Sequence, residues 1–166
     1  NLFTVNGAPA AYSKNLGPGA GLWWQNKGLS VSANYVSALG SDSTKGLFTS
    51  ESGGTASVQV GYQQEQWGLA AILSYVQPLT QFVPGTTPTV HSSIDHGEAV
   101  GAETNAFGLS AFWQPLESGW IPSVSLGWGI NTTTYGVQTV GRPSVSQSWM
   151  VGLQWTDVFA QGNDFG

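Results

Sequence analysis

Apolar and polar residues alternate with a period of two along most of the chain, and the 3.6-residue period of an amphipathic helix is absent almost everywhere. Between Gly28 and Ala38, Leu29, Val31, Ala33 and Tyr35 fall on one face and Ser30, Ser32 and Asn34 on the other. Gly54–Gln64 repeats the pattern, with Ala56, Val58, Val60 and Tyr62 against Thr55, Ser57, Gln59, Gly61 and Gln63. Further on, Phe107, Leu109, Ala111 and Trp113 oppose Gly108, Ser110, Phe112 and Gln114. Val124, Leu126, Trp128 and Ile130 oppose Ser123, Ser125, Gly127 and Gly129, and Trp149, Val151, Leu153 and Trp155 oppose Ser148, Met150, Gly152 and Gln154. Two stretches are less regular. Gly17–Gln25 sets Ala20, Leu22 and Trp24 on one face with Trp23 on the wrong one, and Trp67–Gln77 is apolar on both faces in its middle, where Ile72 opposes Leu73. The pattern predicts seven antiparallel strands, near residues 17–26, 28–38, 54–65, 67–77, 104–114, 119–131 and 146–157.

The links between these strands are expected to alternate short and long. Asn26-Lys27-Gly28 reads as a tight hairpin, Gln64-Glu65-Gln66 is short, and so is Pro115 to Ser118. Leu39 to Gly53, Pro78 to Glu103 and Thr132 to Val145 are long, and Asp157 to Asn163 is a moderate turn. Barrels of the bacterial outer membrane have short turns at one end and longer loops at the other, whereas a soluble β-sandwich has no reason for such regularity.

Charge sharpens that picture. Charged residues make up 8% of the chain, against roughly 25% of an average soluble domain. All of them are placed in loops, in turns or at strand ends, with Glu65 and Glu103 nearest to a strand. A charged side chain facing lipid at mid-bilayer costs about 2–4 kcal/mol, a penalty that water does not impose on an exposed strand. Aromatic residues cluster toward strand ends: Trp24, Tyr62, Trp67, Trp113 and Trp155 beside short turns, and Tyr35, Tyr75 and Trp149 toward the long links. Such girdles suit the headgroup level of a bilayer, where an apolar ring and a polar tip are both satisfied. The competing assignment makes them the core of a soluble sandwich.

The net charge of −5 argues against a nucleic-acid partner. The chain contains no cysteine, which excludes disulfides, zinc ribbons and thiol catalysis. No apolar run approaches the length of a membrane helix, but a β-barrel crosses with about 9–11 residues per strand. The sequence opens on Asn1 without a visible signal peptide, as expected of a mature form or an internal fragment.

No enzymatic constellation is found. His91, Asp95, His96 and Glu98 share the longest link, but their spacing matches no defensible zinc signature, and a solvated polar loop accounts for them. Gly17-Pro-Gly-Ala-Gly21 is followed by no helix pattern, so it reads as the lead-in to a strand, not as a phosphate cradle. The chain is therefore expected to be neither an enzyme nor a metal or cofactor protein. The residues expected to carry function are Ser30, Ser32, Asn34, Ser57, Gln59, Gln63, Ser110, Gln114, Ser123, Ser125 and Gln154, as uncharged donors and acceptors facing lumen water. The solvent face of a soluble sheet alternates in the same way. Asp95, Glu98 and Glu103 are a candidate selectivity set if the long link 78–103 folds into the pore, where they would favour cations.

The segment Gly19-Ala-Gly-Leu-Trp-Trp-Gln-Asn-Lys-Gly-Leu-Ser-Val-Ser-Ala-Asn-Tyr-Val-Ser37 resembles the cyanobacterial outer-membrane porins of the carbohydrate-selective, OprB-like family. Gly54, Gly61 and Tyr62, the hairpin start Trp67-Gly68-Leu69-Ala70, and Asp157-Val-Phe-Ala-Gln-Gly-Asn163 are similar to the same group. The resemblance covers essentially the whole chain and lies in the order of segments. It implies residues 1–166 as part of a single barrel domain in an outer membrane, passing small polar solutes and inorganic ions passively between lipid-facing walls. The S-layer-homology domain usual in that family does not occur within these 166 residues, so a tether to peptidoglycan is expected only through a domain outside them. Seven strands suggest about half of a larger barrel, since bacterial barrels have even strand numbers. A homo-oligomer is compatible with the pattern. Two other readings remain open: a secreted β-sandwich that binds carbohydrate or mediates adhesion, and a small eight-stranded barrel whose first strand starts at Leu2–Val5.

Overall fold

The computed structural model describes residues 17–49, 51–77, 103–116, 120–135, 144–155 and 166. They form seven strands: β1 (Gly19–Asn26), β2 (Leu29–Ser37), β3 (Gly54–Gln63), β4 (Trp67–Val76), β5 (Glu103–Trp113), β6 (Ser123–Thr134) and β7 (Val145–Gln154). All seven belong to one open sheet, in sequence order, each antiparallel to its chain neighbours. Packing runs only between consecutive strands, and among the described residues there is neither a helix nor a second sheet.

Turn chemistry fixes the register at the short ends. Lys27 and Gly28 both adopt positive φ, 45° and 85°, the mirror-image two-residue turn whose twist matches that of paired strands. Gly28 is required twice over. Its φ suits glycine, and a side chain there would strike the carbonyl oxygen of Gln63, whose own N–H donates to the Gly28 carbonyl at 2.9 Å. The second hairpin closes through residues 64–66, where Gln64 N–H donates to the Trp67 carbonyl at 2.8 Å.

Beyond those hairpins the alternation of short and long links weakens. Residues 27–28 and 64–66 are short and residues 38–53 and 77–102 long, as expected, but 114–122 is nearly as long as 135–144. The cause is Pro122, which has no N–H to give the ladder, so β6 starts at Ser123 and not near residue 119. At its other end β6 runs on through Thr132, Thr133 and Thr134, β-branched residues that suit a pleated surface. The expected first strand of a small barrel at Leu2–Val5, and the turn 157–163, lie outside the described residues.

Register sorts the side chains into two unlike faces. Across the sheet, Trp24, Val31, Val60, Ala71, Leu109, Trp128 and Trp149 occupy one row of the apolar face. Most large side chains of this face are open to the surroundings, among them Leu73 at 61% and Trp149 at 79% of full exposure. The opposite face carries the smaller residues and is the more enclosed. The only buried hydrophobic residues among those described are Ala70, Ile72, Val76 and Ala106, all on this second face of β4 and β5. On this open sheet the large apolar side chains therefore stand on the more exposed face.

Candidate functional site

The second face gathers the polar residues singled out from sequence. Gln25, Ser30, Gly61, Ala70, Ser110, Gly127 and Met150 form one of its rows. Trp23, Ser32, Gln59, Ile72, Gly108, Gly129 and Ser148 form the next, and Gly21, Asn34, Ser57, Ser74, Ala106, Asn131 and Ser146 the one beyond. Toward the short turns, Gln63 shares this face with Phe112, Ser125 and Gly152, and Ser123 pairs with Gln154. Asn34, Gln63, Ser125 and Gln154 are exposed, whereas Ser30, Ser32, Ser57, Gln59, Ser110 and Ser123 are half-buried.

Not every expected group is at liberty to meet a solute. Gln114 lies just past β5, and its side-chain amide donates to the Glu65 carbonyl at 2.9 Å, clamping the neighbouring turn. The Ser30 hydroxyl donates to the Gly61 carbonyl at 3.3 Å, and Ser57 shares a 2.9 Å hydrogen bond with Ser74. Towards the long links the face is a buried polar lattice that the sequence reading passed over. Thr104 and Thr133 hydroxyls lie 2.8 Å apart, and Ser146 donates to Asn131 Oδ1 at 2.8 Å. Thr55 and Ser74 are buried beside them. The signal was available as the Thr132-Thr-Thr134 run and the continued alternation of β6, both hidden by ending that strand at residue 131. Apolar Ala70, Ile72, Val76, Phe112 and Met150 also belong to this face, which resolves the two-sided pattern in the middle of β4.

No ionisable group stands on this face among the described residues, apart from the turn and loop charges at its ends. Glu103, grouped with Asp95 and Glu98 as a selectivity set if the 78–103 link enters a pore, does not stand with the polar residues of the second face. It is the first residue of β5, and its alternation with Asn105 and Phe107 places it on the apolar face, where the Tyr75 hydroxyl bonds to its carboxylate. Asp95 and Glu98, like His91 and His96, lie outside the described residues. Among the described residues no group of three or more His, Cys, Asp or Glu side chains comes together as metal ligands would. In the 38–53 connection, Asp42 Oδ1 accepts hydrogen bonds from the Thr44 hydroxyl and N–H at 2.7 and 2.9 Å. These two bonds, helped by Lys45, hold the Asp42 carboxyl below its ordinary pKa.

Aromatic residues of the apolar face follow two diagonals. Measured from the row of Trp24, Tyr62 is two residues past Val60 toward the short turns, Trp67 four past Ala71, Trp113 four past Leu109, and Trp155 six past Trp149. The second diagonal starts in the row of Tyr35, which also holds Tyr75, Asn105, Thr132 and Val145. Phe107 is two residues from that row, and Trp128 and Trp149 are four, displaced in the same direction. The first line therefore moves by about one residue per strand, and the second by slightly less, about 0.8, with each residue roughly 3.3 Å along the chain and each strand about 4.8 Å across the sheet. Trp149, expected near a strand end, is mid-strand in β7 and still falls on the second line.

Comparison of the chain with family models, with curated proteins and with solved structures gave no match.

Proposed function

We propose that this chain is part of an outer-membrane β-barrel porin, similar to the OprB-like family, through which small polar solutes and inorganic ions diffuse passively. The apolar face, bounded by its two aromatic diagonals, carries the reading. A straight line of interfacial aromatics on a tilted sheet must cross the register rows obliquely. The two slopes correspond to a strand tilt of about 29–35°, at or just below the 35–45° range of membrane barrels. On β4 and β7 the two lines are separated by the spans Trp67 to Tyr75 and Trp149 to Trp155. At about 3.3 Å per residue and this tilt, the separation is roughly 16–22 Å, close to the ~25 Å apolar band of such proteins. Between the lines lie Leu22, Val58, Val60, Leu69, Leu73 and Leu109, all exposed. An apolar surface of this extent needs a partner, and a bilayer supplies one with the observed upper and lower limits.

On this reading the small, uncharged second face borders the aqueous passage. Its serine, threonine, asparagine and glutamine groups replace part of a solute's hydration without holding it tightly, as passage requires. The absence of fixed charge from the described part of the wall implies weak selection by sign from this region. The test is conductance in planar bilayers together with the heat-dependent gel mobility of a folded barrel. Stepwise ohmic channels and a mobility shift on boiling are expected. A protein that stays monomeric in water without detergent and gives no channels would instead fit the secreted sandwich.

A further inference from the structure

We propose that the β2–β3 connection, residues 38–53, is a lipid-contacting shelf, with Leu47 and Phe48 seated at the boundary between the headgroups and acyl chains of a phospholipid bilayer. The inference rests on the membrane reading above and adds a second contact surface to it.

Tyr35, on the apolar face of β2, begins the aromatic line nearer the long connections. Its ring leans across Gly54, where a Cβ would collide with the Tyr35 hydroxyl and lie 2.8 Å from Gln77 Oε1. That hydroxyl donates to the Leu47 carbonyl at 2.8 Å, and the ring meets Phe48 with centroids 4.9 Å apart and planes tilted by 34°. The connection is thereby bent toward the apolar side of the sheet. Gly46, at φ 75°, makes the turn that delivers the pair. Leu47 and Phe48 are nonetheless exposed, Phe48 at 78%, so the contacts that hold them leave their outer surfaces uncovered.

Most polar groups of the connection flank this tip, with Thr49 directly after Phe48 and bonded back to the Lys45 carbonyl. Ser41, Asp42, Ser43 and Thr44 form its exposed polar stretch, and Lys45 pairs with Glu51 at 3.8 Å. Beneath them Ser52 is fully buried, with its hydroxyl donating to the Thr49 carbonyl at 2.9 Å. An amphipathic loop whose apolar side continues the aromatic line, and whose charges stand off it, matches the layering of a bilayer surface. Continuity with the Tyr35 line is what selects lipid as the occupant.

The chain has no cysteine, so a single introduced thiol carries an NBD fluorophore without interference. F48C, L47C, L73C and S43C variants of the full chain would be labelled and reconstituted into phosphatidylcholine vesicles with brominated acyl chains. Iodide would serve as the aqueous quencher. Fluorophores at 47 and 48 should be quenched by brominated lipid, as at 73, and shielded from iodide relative to 43. Full iodide access at 47 and 48, with 73 still quenched by lipid, would overturn the shelf and leave the barrel standing. Protection of 47 and 48 from both quenchers would show that protein covers them and would overturn it equally. Loss of lipid quenching at 73 would remove the membrane reading and the shelf together.

Discussion

Ser146 in β7 donates a hydrogen bond to Asn131 Oδ1 in β6 across 2.8 Å, and both side chains are buried on the small-residue face. A buried polar group that loses its partner costs about 1–3 kcal/mol, whereas removal of both partners costs much less than two separate losses. N131A and S146A are each expected to lower unfolding stability by about that amount. The double variant should fall short of additivity by about 0.5–3 kcal/mol in a double-mutant cycle. Denaturant titration of the reconstituted protein measures it, and strict additivity would dissolve the proposed lattice.

Ser37 supplies the opposite case. It is fully buried at the end of β2, and its hydroxyl has no hydrogen-bond partner. Replacing it with alanine removes an unsatisfied group without opening a large cavity. S37A should be neutral or stabilising, by up to roughly 1–3 kcal/mol. A marked fall in the unfolding midpoint would show that the hydroxyl is in use.

At the first hairpin, Lys27 occupies a left-handed conformation that costs an ordinary residue about 1–2 kcal/mol. Asparagine tolerates this region and is favoured in mirror-image turns. K27N should therefore stabilise the hairpin, and G28A should destabilise it through both its φ of 85° and its approach to Gln63. Unfolding midpoints of the two variants are expected to move in opposite directions. Movement in the same direction would contradict the turn geometry.

The pH response of the 38–53 connection follows from Asp42. Its folded pKa is lowered by the two bonds from Thr44, so its contribution is present above the unfolded carboxyl pKa and is lost as pH falls through the depressed folded value. The protection of the Thr44 amide, its exchange rate compared with the intrinsic rate at the same pH, should fall in that acid window and be highest at neutral pH, since its N–H is one of the donors. In D42N the acid loss of protection should disappear.

Much of this architecture was legible in the residues. Period-two alternation placed all seven strands to within a few positions and sorted their apolar from their polar face, Asn26-Lys27-Gly28 gave the first turn, and the scarcity of strand charge with the aromatics at strand ends was what pointed to an open apolar face. What escaped had physical causes. The start of β6 depends on the missing N–H of Pro122, and its far end depends on threonines that read equally well as loop. In β4, Ile72 and Leu73 are both apolar, so periodicity could not rank its faces until register with Gln59 and Gly108 placed Ile72 on the second one. Hydrogen bonds that tie Gln114 and Ser30 to neighbouring carbonyls link strands distant in sequence, and no local pattern announces them. The diagonals of aromatics are likewise a property of register and invisible to any single strand.

The central claim, that the two faces meet different solvents, is tested most directly by two neighbouring residues of β3. Gln59 belongs to the small polar face and Val58 to the apolar one, at nearly the same level along the strand. Q59C and V58C channels in planar bilayers would be treated with a positively charged, membrane-impermeant thiol reagent while conductance and reversal potential are recorded across a salt gradient. Modification of Q59C should reduce conductance and shift the reversal potential toward anions, whereas V58C should remain unmodified and unchanged. Modification of V58C with Q59C silent, or equal reaction at both, would contradict the assignment of lipid to one face and water to the other.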